Sequence, residues 1–239
     1  MGMPLVLLPG FMSDLRVWGP QIEALAQDHT LVLPTLGTFD SVERMAENLL
    51  PQLPQRFALA GHSLGGHVAM ELLRRAPDRV ERIAILSAPC LAETPPMAAE
   101  RELRMVRAKG GRLAAVMAED LPKTCLADGD LCAPLHGFVL EMAERFGVDA
   151  YLAQSRAMQK RPDCQRVLRT ARLPSLVMGG AEDTVVRPQR LEFLAGLMPK
   201  ASLRIIDGAG HLPMLERPDR VTGALMEWME WPLEALLLR

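Results

Sequence analysis

The sequence predicts an α/β fold: a mostly parallel sheet flanked by helices, with a helical cap inserted into it. Three observations carry that prediction. Short apolar runs rich in Val, Ile and Leu alternate with longer amphipathic stretches. That alternation is the signature of strands buried on both faces by crossover helices. It breaks once, between about residues 91 and 163, where helical patterns continue with no strand-like run between them.

The strands are predicted at residues 4–8, 30–33, 56–60, 82–86, 175–178 and 202–206. Helical spacing covers 15–27, 41–50, 64–75, 187–197 and 218–228. Asp40 or Ser41 can cap the second of these helices, and Pro188 suits the first turn of the fourth. An ordinary crossover takes about a dozen residues or more. The roughly seventy residues of helix between the fourth and fifth strands therefore read as an insertion over one end of the sheet. This divides the chain into core residues 1–91, a cap at 92–165 and core residues 166–239. Pro95-Pro96, Gly110-Gly111, Pro122 and Asp128-Gly129-Asp130 punctuate the cap. Its methionines (Met97, Met105, Met117, Met142 and Met158) are expected mostly in core packing, with a minority free to line an adaptable pocket. The apolar stretch at 231–238 is expected to dock as a final helix, or else to meet a second copy in a homo-oligomer.

Composition excludes several classes of function. The chain has 239 residues, 49% of them hydrophobic and 23% charged, with a formal net charge of −2. That balance offers no electrostatic footprint for nucleic acid or an anionic membrane. No apolar run approaches the ~20 residues that span a bilayer. No secretory leader is legible at the start, and Val6 stands where a myristoylation signal wants Ser or Thr. The cytoplasm is the expected compartment. Cys90, Cys125, Cys132 and Cys164 form no C-x-x-C pair and are expected as reduced, mostly buried thiols; a Cys125–Cys132 bridge is the alternative. No metal site and no cofactor are expected, and the expected partner is a small-molecule substrate.

The motifs point to nucleophilic catalysis. Gly61-His62-Ser63-Leu64-Gly65-Gly66 lies between a predicted buried strand and a predicted helix. That context makes Ser63 a nucleophile on a tight turn, whose flanking glycines relieve crowding and whose helix N-terminus favours negative charge. A serine hydroxyl needs a base. His211, in Gly208-Ala209-Gly210-His211, follows the last strand on a loop of small residues. Of the other histidines, His29 reads as a surface residue and His67 as packing. His62 is fixed beside the serine, and His136 either faces solvent or reaches the substrate from the cap. An imidazole that accepts a proton needs a carboxylate on its other nitrogen. Asp183, at the carboxyl end of the fifth strand, is preferred over its neighbour Glu182, while Asp207 reads as shaping its own turn. The oxyanion donors are expected to be the backbone N–H groups of Leu64 and Phe11, with Gly10 allowing the Phe11 loop to approach closely.

With these parts placed, the chain resembles the α/β-hydrolase superfamily over nearly its whole length. The segments that carry the resemblance are Leu7-Leu8-Pro9-Gly10-Phe11, Ala60 through Gly66, Gly180-Ala181-Glu182-Asp183 and Gly208-Ala209-Gly210-His211. Ala76-Pro77-Asp78-Arg79-Val80 and Arg161-Pro162-Asp163 are also family-like. The resemblance implies a cap after the family's sixth strand and a serine hydrolase of carboxylesterase type. Pro9-Gly10 replaces the His-Gly pair of many relatives, and the family's opening hairpin is missing. The expected activity is cleavage of a small, mainly apolar carboxylic ester through an acyl-enzyme. The same triad acting on a thioester, lactone, amide or C–C bond, or a receptor without turnover on the same fold, stays open.

Overall fold

The computed structural model describes residues 2–233. Six strands among these residues form one sheet: β1 (Leu5–Leu8), β2 (Leu31–Val32), β3 (Phe57–His62), β4 (Val80–Leu86), β5 (Ser175–Gly180) and β6 (Ala201–Ile206). Their order is β2-β1-β3-β4-β5-β6, and every pairing is parallel. The central strands β1, β3 and β5 are buried at every residue, so side chains on both faces of the pleat are covered. The edge strands β2 and β6 are only partly buried. β2 has two residues, Leu31 and Val32, paired with Leu5 and Val6, and so falls short of the predicted 30–33.

The helices outside the insertion are α1 (Gly19–Leu25), α2 (Val42–Leu49), α3 (Leu64–Arg75), α8 (Pro188–Leu197), α9 (Pro213–Glu216) and α10 (Pro218–Met229). Between β4 and β5 lie α4 (Pro95–Arg107), α5 (Leu113–Asp120), α6 (Cys132–Gln159) and α7 (Gln165–Thr170). Helix α1 packs with α9 and α10, while α2, α3, α7 and α8 form a second packed series. Ser41, not Asp40, caps α2: its hydroxyl accepts from the Arg44 N–H at 3.2 Å. Asp40 instead pairs with Arg44 and Lys160. The predicted helix at 15–27 is split. A 3-10 turn, Leu15–Trp18, is capped by the Asp14 side chain, and α1 begins afresh with a proline in its first turn.

The inserted helices bury apolar side chains that join the same continuous core as the sheet. Met105, Val116, Met117, Val139, Met142 and Tyr151 are all buried, each contributing about 1.5–3 kcal/mol of transfer free energy. Three of the five cap methionines are thus packing, and Met97 and Met158 are half-buried. Pro95 and Pro96 start α4, where a missing N–H costs nothing. Gly111 (φ 84°) breaks the path between α4 and α5. Gly147 (φ 76°) divides α6 into two runs.

The two ends of the insertion are tied together. Cys164 N–H donates to the Cys90 carbonyl at 2.8 Å. The Glu93 carboxylate, whose side chain is buried, accepts from Arg101 and Arg161, at 2.8 and 3.1 Å. Burial alone would raise the Glu93 carboxyl, but the hydrogen bonds and charge of the two arginines outweigh it and hold it below the usual carboxylate range. Arg161 also donates to the carbonyls of Leu91 and Met158. All four cysteines are free thiols, so Cys125 and Cys132 are not bridged; Cys132 alone is not fully buried. The stretch beyond residue 233, expected as a final helix, lies outside the described residues. No helix among the described residues is long and apolar enough to cross a membrane.

Candidate active site

Strand β3 ends at His62 and α3 begins at Leu64, leaving Ser63 to make the whole turn. Its backbone is strained (φ 50°, ψ −115°), a geometry that costs a non-glycine residue on the order of 1–3 kcal/mol. The turn holds because its surroundings leave no alternative. Ser63 N–H donates to the Leu86 carbonyl at 2.9 Å. A Cβ on Gly61 would lie 2.2 Å from the Gly65 carbonyl oxygen, and one on Gly65 would lie 2.4 Å from that of Pro9. The side chain of Ser63 therefore stands at the carboxyl edge of the sheet, 8% exposed. As the first residue of α3, Leu64 has an N–H with no carbonyl one turn back to accept it.

The loop after β1 presses directly on this turn. A Cβ on Gly10 would meet the His62 ring at 2.5 Å and the Ser63 Cβ at 3.4 Å, so only glycine lets Phe11 come this close. Helix α6 holds the loop from above. Gln154 Oε1 accepts from the Met12 N–H at 2.8 Å, and the Phe11 ring meets Tyr151 edge-on at 5.7 Å.

Asp183 and His211 are brought together. His211 Nδ1 donates to Asp183 Oδ2 at 2.9 Å, and both side chains are buried. Asp183 Oδ1 accepts from the N–H groups of Val185 and Val186, each at 2.8 Å. Those two bonds fix the carboxylate plane and direct its second oxygen at the imidazole. The loops carrying the pair touch through glycine: a Cβ on Gly180 would lie 2.1 Å from the Ala209 carbonyl oxygen. Glu182, the rival carboxylate, is exposed and contributes only its N–H, donated to that same carbonyl at 2.9 Å. Asp207 is exposed in its turn.

His62 links the serine turn to the base loop. Its Nε2 donates to the His211 carbonyl at 2.8 Å, and the two ring centroids are 5.0 Å apart. Burial, followed by the neighbouring His211, lowers the His62 pKa to about 3. His67 is buried on α3 with neither ring nitrogen hydrogen-bonded within the protein, and burial holds its pKa well below 6.5. Both rings stay neutral in the folded protein while the unfolded chain binds protons near pH 6.5. Their contribution to stability is therefore complete above about pH 6.5 and is lost as pH falls below it, for His62 down to about 3. We expect Tm to be level from pH 8 to 7, with stability dropping by roughly 2–3 kcal/mol per unit between pH 6 and 5, as two extra protons on the unfolded chain require. A Tm unchanged between pH 7 and 5 would show that neither ring behaves this way.

His136 does not stand free in solvent. It is half-buried and bonds the Leu121 carbonyl at 2.9 Å, inside the cap. His29 is half-buried rather than a surface residue. Two contributors escaped the sequence reading, Gln154 and Glu216. The buried Glu216 carboxylate accepts from the N–H groups of Gly210, Leu212 and Ala127. Its only trace in the sequence is an acid in an otherwise apolar turn. No group of three or more His, Cys, Asp or Glu among the described residues could hold a metal ion. Two surface cavities of about 390 and 420 Å³ share Leu73, Pro77 and Val167, at the opposite end of α3 from Ser63.

This parallel sheet, with its insertion after β4 and its polar residues gathered at the carboxyl edge, is the architecture of the alpha/beta hydrolase family, whose sequence model matches residues 5–224. The chain belongs to that family and is a hydrolase on its scaffold. It is similar to a pimeloyl-[acyl-carrier protein] methyl ester esterase of Aromatoleum aromaticum (strain DSM 19018 / LMG 30748 / EbN1), at 26% identity over 90% of this chain and 93% of that one. Among solved structures, it resembles a thermophilic esterase from Thermogutta terrifontis with a TM-score of 0.89 and 26% identity, over 96% of this chain and 90% of that one. The enol-lactonase of Burkholderia xenovorans LB400 shares the fold, with a TM-score of 0.83 and 20% identity over 97% and 92% of the two chains.

Proposed function

We propose that the chain is a serine esterase in which Ser63 is the nucleophile, His211 the base and Asp183 the carboxylate that orients the base. The observation that carries this reading is the buried Asp183–His211 pair, on a loop bonded through its own carbonyl to the residue preceding Ser63. With Nδ1 committed to Asp183, the imidazole presents Nε2 as its free acceptor. His211 takes the Ser63 proton as the hydroxyl oxygen attacks the ester carbonyl. The N–H groups of Leu64 and Phe11 receive the developing oxyanion, and His211 returns the proton to the departing alcohol. Water, deprotonated by His211, then releases the acid from Ser63.

A small, mainly apolar carboxylic ester is the proposed substrate class. The loop that reaches Ser63 carries the apolar Phe11 and Met12, and the relatives from Aromatoleum and Thermogutta are named as esterases. We place the enzyme in the cytoplasm, with its four thiols reduced. A fluorophosphonate probe should label the protein once, at Ser63. A matched panel of p-nitrophenyl ester, thioester, lactone and anilide should show the ester turned over fastest. Faster cleavage of another bond would reassign the substrate. An unlabelled protein that binds the ester without cleaving it would be a receptor, and the reading would fail.

A further inference from the structure

We infer that Glu216 is a positioning residue that fastens a strap of the cap, Thr124 to Ala127, onto the loop carrying His211. The inference rests on His211 being the base.

Four backbone N–H groups and one hydroxyl converge here. Glu216 Oε2 accepts from Ala127 N–H at 2.7 Å and from Gly210 N–H at 2.9 Å; Oε1 accepts from Leu212 N–H at 2.9 Å. Gly210 and Leu212 bracket His211, so one carboxylate grips the base loop on both sides of the imidazole. The third bond reaches out of the core into the cap. The strap answers directly: its Cys125 carbonyl accepts from the His211 N–H at 2.6 Å. Its Thr124 carbonyl accepts from Thr184 Oγ1 at 3.1 Å, next to Asp183. A Cβ on Gly210 would lie 2.1 Å from the Cys125 carbonyl oxygen, so strap and loop are packed at backbone distance. The Glu216 side chain is buried, and a buried acceptor of three N–H groups is stronger and more rigid than a neutral one. With His62 holding the His211 carbonyl, the backbone of the base loop is held at Gly210, His211 and Leu212, and the hold on the His211 N–H comes from the strap.

The chemistry of substitution is asymmetric. Glutamine keeps one acceptor oxygen. If that oxygen retains Ala127 and Gly210, the amide N–H₂ must face the Leu212 N–H, donor against donor. If it is turned the other way, two bonds are lost instead of one. Alanine loses all three and leaves three buried N–H groups unpaired.

Expected for Glu216→Ala is a kcat lower by roughly 10- to 100-fold with KM within about twofold, because a displacement near 1 Å at the reacting group costs up to about 10²-fold. Glu216→Gln should fall between this and the parent, and it preserves the test if the alanine variant does not fold. An NMR readout separates this inference from the esterase reading. The downfield His211 Nδ1–H proton should exchange at least about tenfold faster in the variants, whether or not the parent turns over an ester. Folded variants with kcat within twofold of the parent, or with an unchanged Nδ1–H exchange rate, would overturn the role given to Glu216. A parent unlabelled by fluorophosphonate, with the Nδ1–H exchange still responding to Glu216, would instead overturn only the esterase reading.

Discussion

Ser63→Ala should lower kcat for a p-nitrophenyl ester by roughly 10⁴- to 10⁶-fold while leaving the protein folded and able to bind the ester. The size follows from removing the atom that forms the acyl-enzyme, the largest single loss a serine hydrolase can suffer. The fold is expected to survive because the turn is held by backbone, not by the hydroxyl. Ser63 N–H still reaches Leu86, and Gly61, Gly65 and Gly66 still allow the close approach of β1 and β4. Alanine at φ 50° is strained to the same degree as serine, so Tm should move little. Steady-state rates, a binding isotherm and a melting curve on the same preparation check all three expectations. Ester turnover within tenfold of the parent would remove Ser63 from the chemistry.

Asp183→Asn comes next in size, with kcat lower by about 10⁴-fold and structure intact. An asparagine can usually flip to offer its oxygen where it is needed, but not here. One position of the side chain accepts two N–H groups, from Val185 and Val186, so the amide oxygen is required there. The N–H₂ is then turned toward His211 Nδ1. Two donors cannot share that contact, and the ring must take the tautomer with its proton on Nε2, leaving nothing to accept the proton of Ser63. Loss confined to kcat, with an unchanged melting temperature, is the expected pattern. A variant as fast as the parent would show that the Asp183–His211 contact is structural only.

Much of this was legible in the chain. The central strands were legible because a strand buried on both faces is written as an unbroken apolar run, as in Leu5–Leu8 or Leu176–Met178; the edge strands, only partly buried, carried a weaker pattern. Ser63 and Asp183 could be proposed from the chain because both sit just past a buried strand on a glycine-containing turn, and the structure puts Asp183, not Glu182, on His211. What was not legible lies across long separations. Nothing near Gln154 signals Met12, 142 residues away, and nothing near Glu216 signals Ala127, 89 residues away. The break of α6 at Gly147 was also hidden, since a single glycine in a helical pattern does not announce a positive φ. The bond between His136 and the Leu121 carbonyl was hidden as well, because it lies within a cap whose internal packing no periodicity describes.

The hydrogen bond between Cys164 and Cys90 bears on how such a protein can diversify. Entry and exit of the insertion adjoin, so from the standpoint of chain closure the whole helical module is interchangeable, like a tool on a common handle. Gln154 and the carbonyl of Cys125, however, are parts of that module engaged with the loops beneath it. A donor module that lacked them would seal the chain and still leave the machinery slack. Exchange at this junction is therefore constrained to replacements that bring both contacts with them, and recombination experiments should recover active chimaeras from that subset.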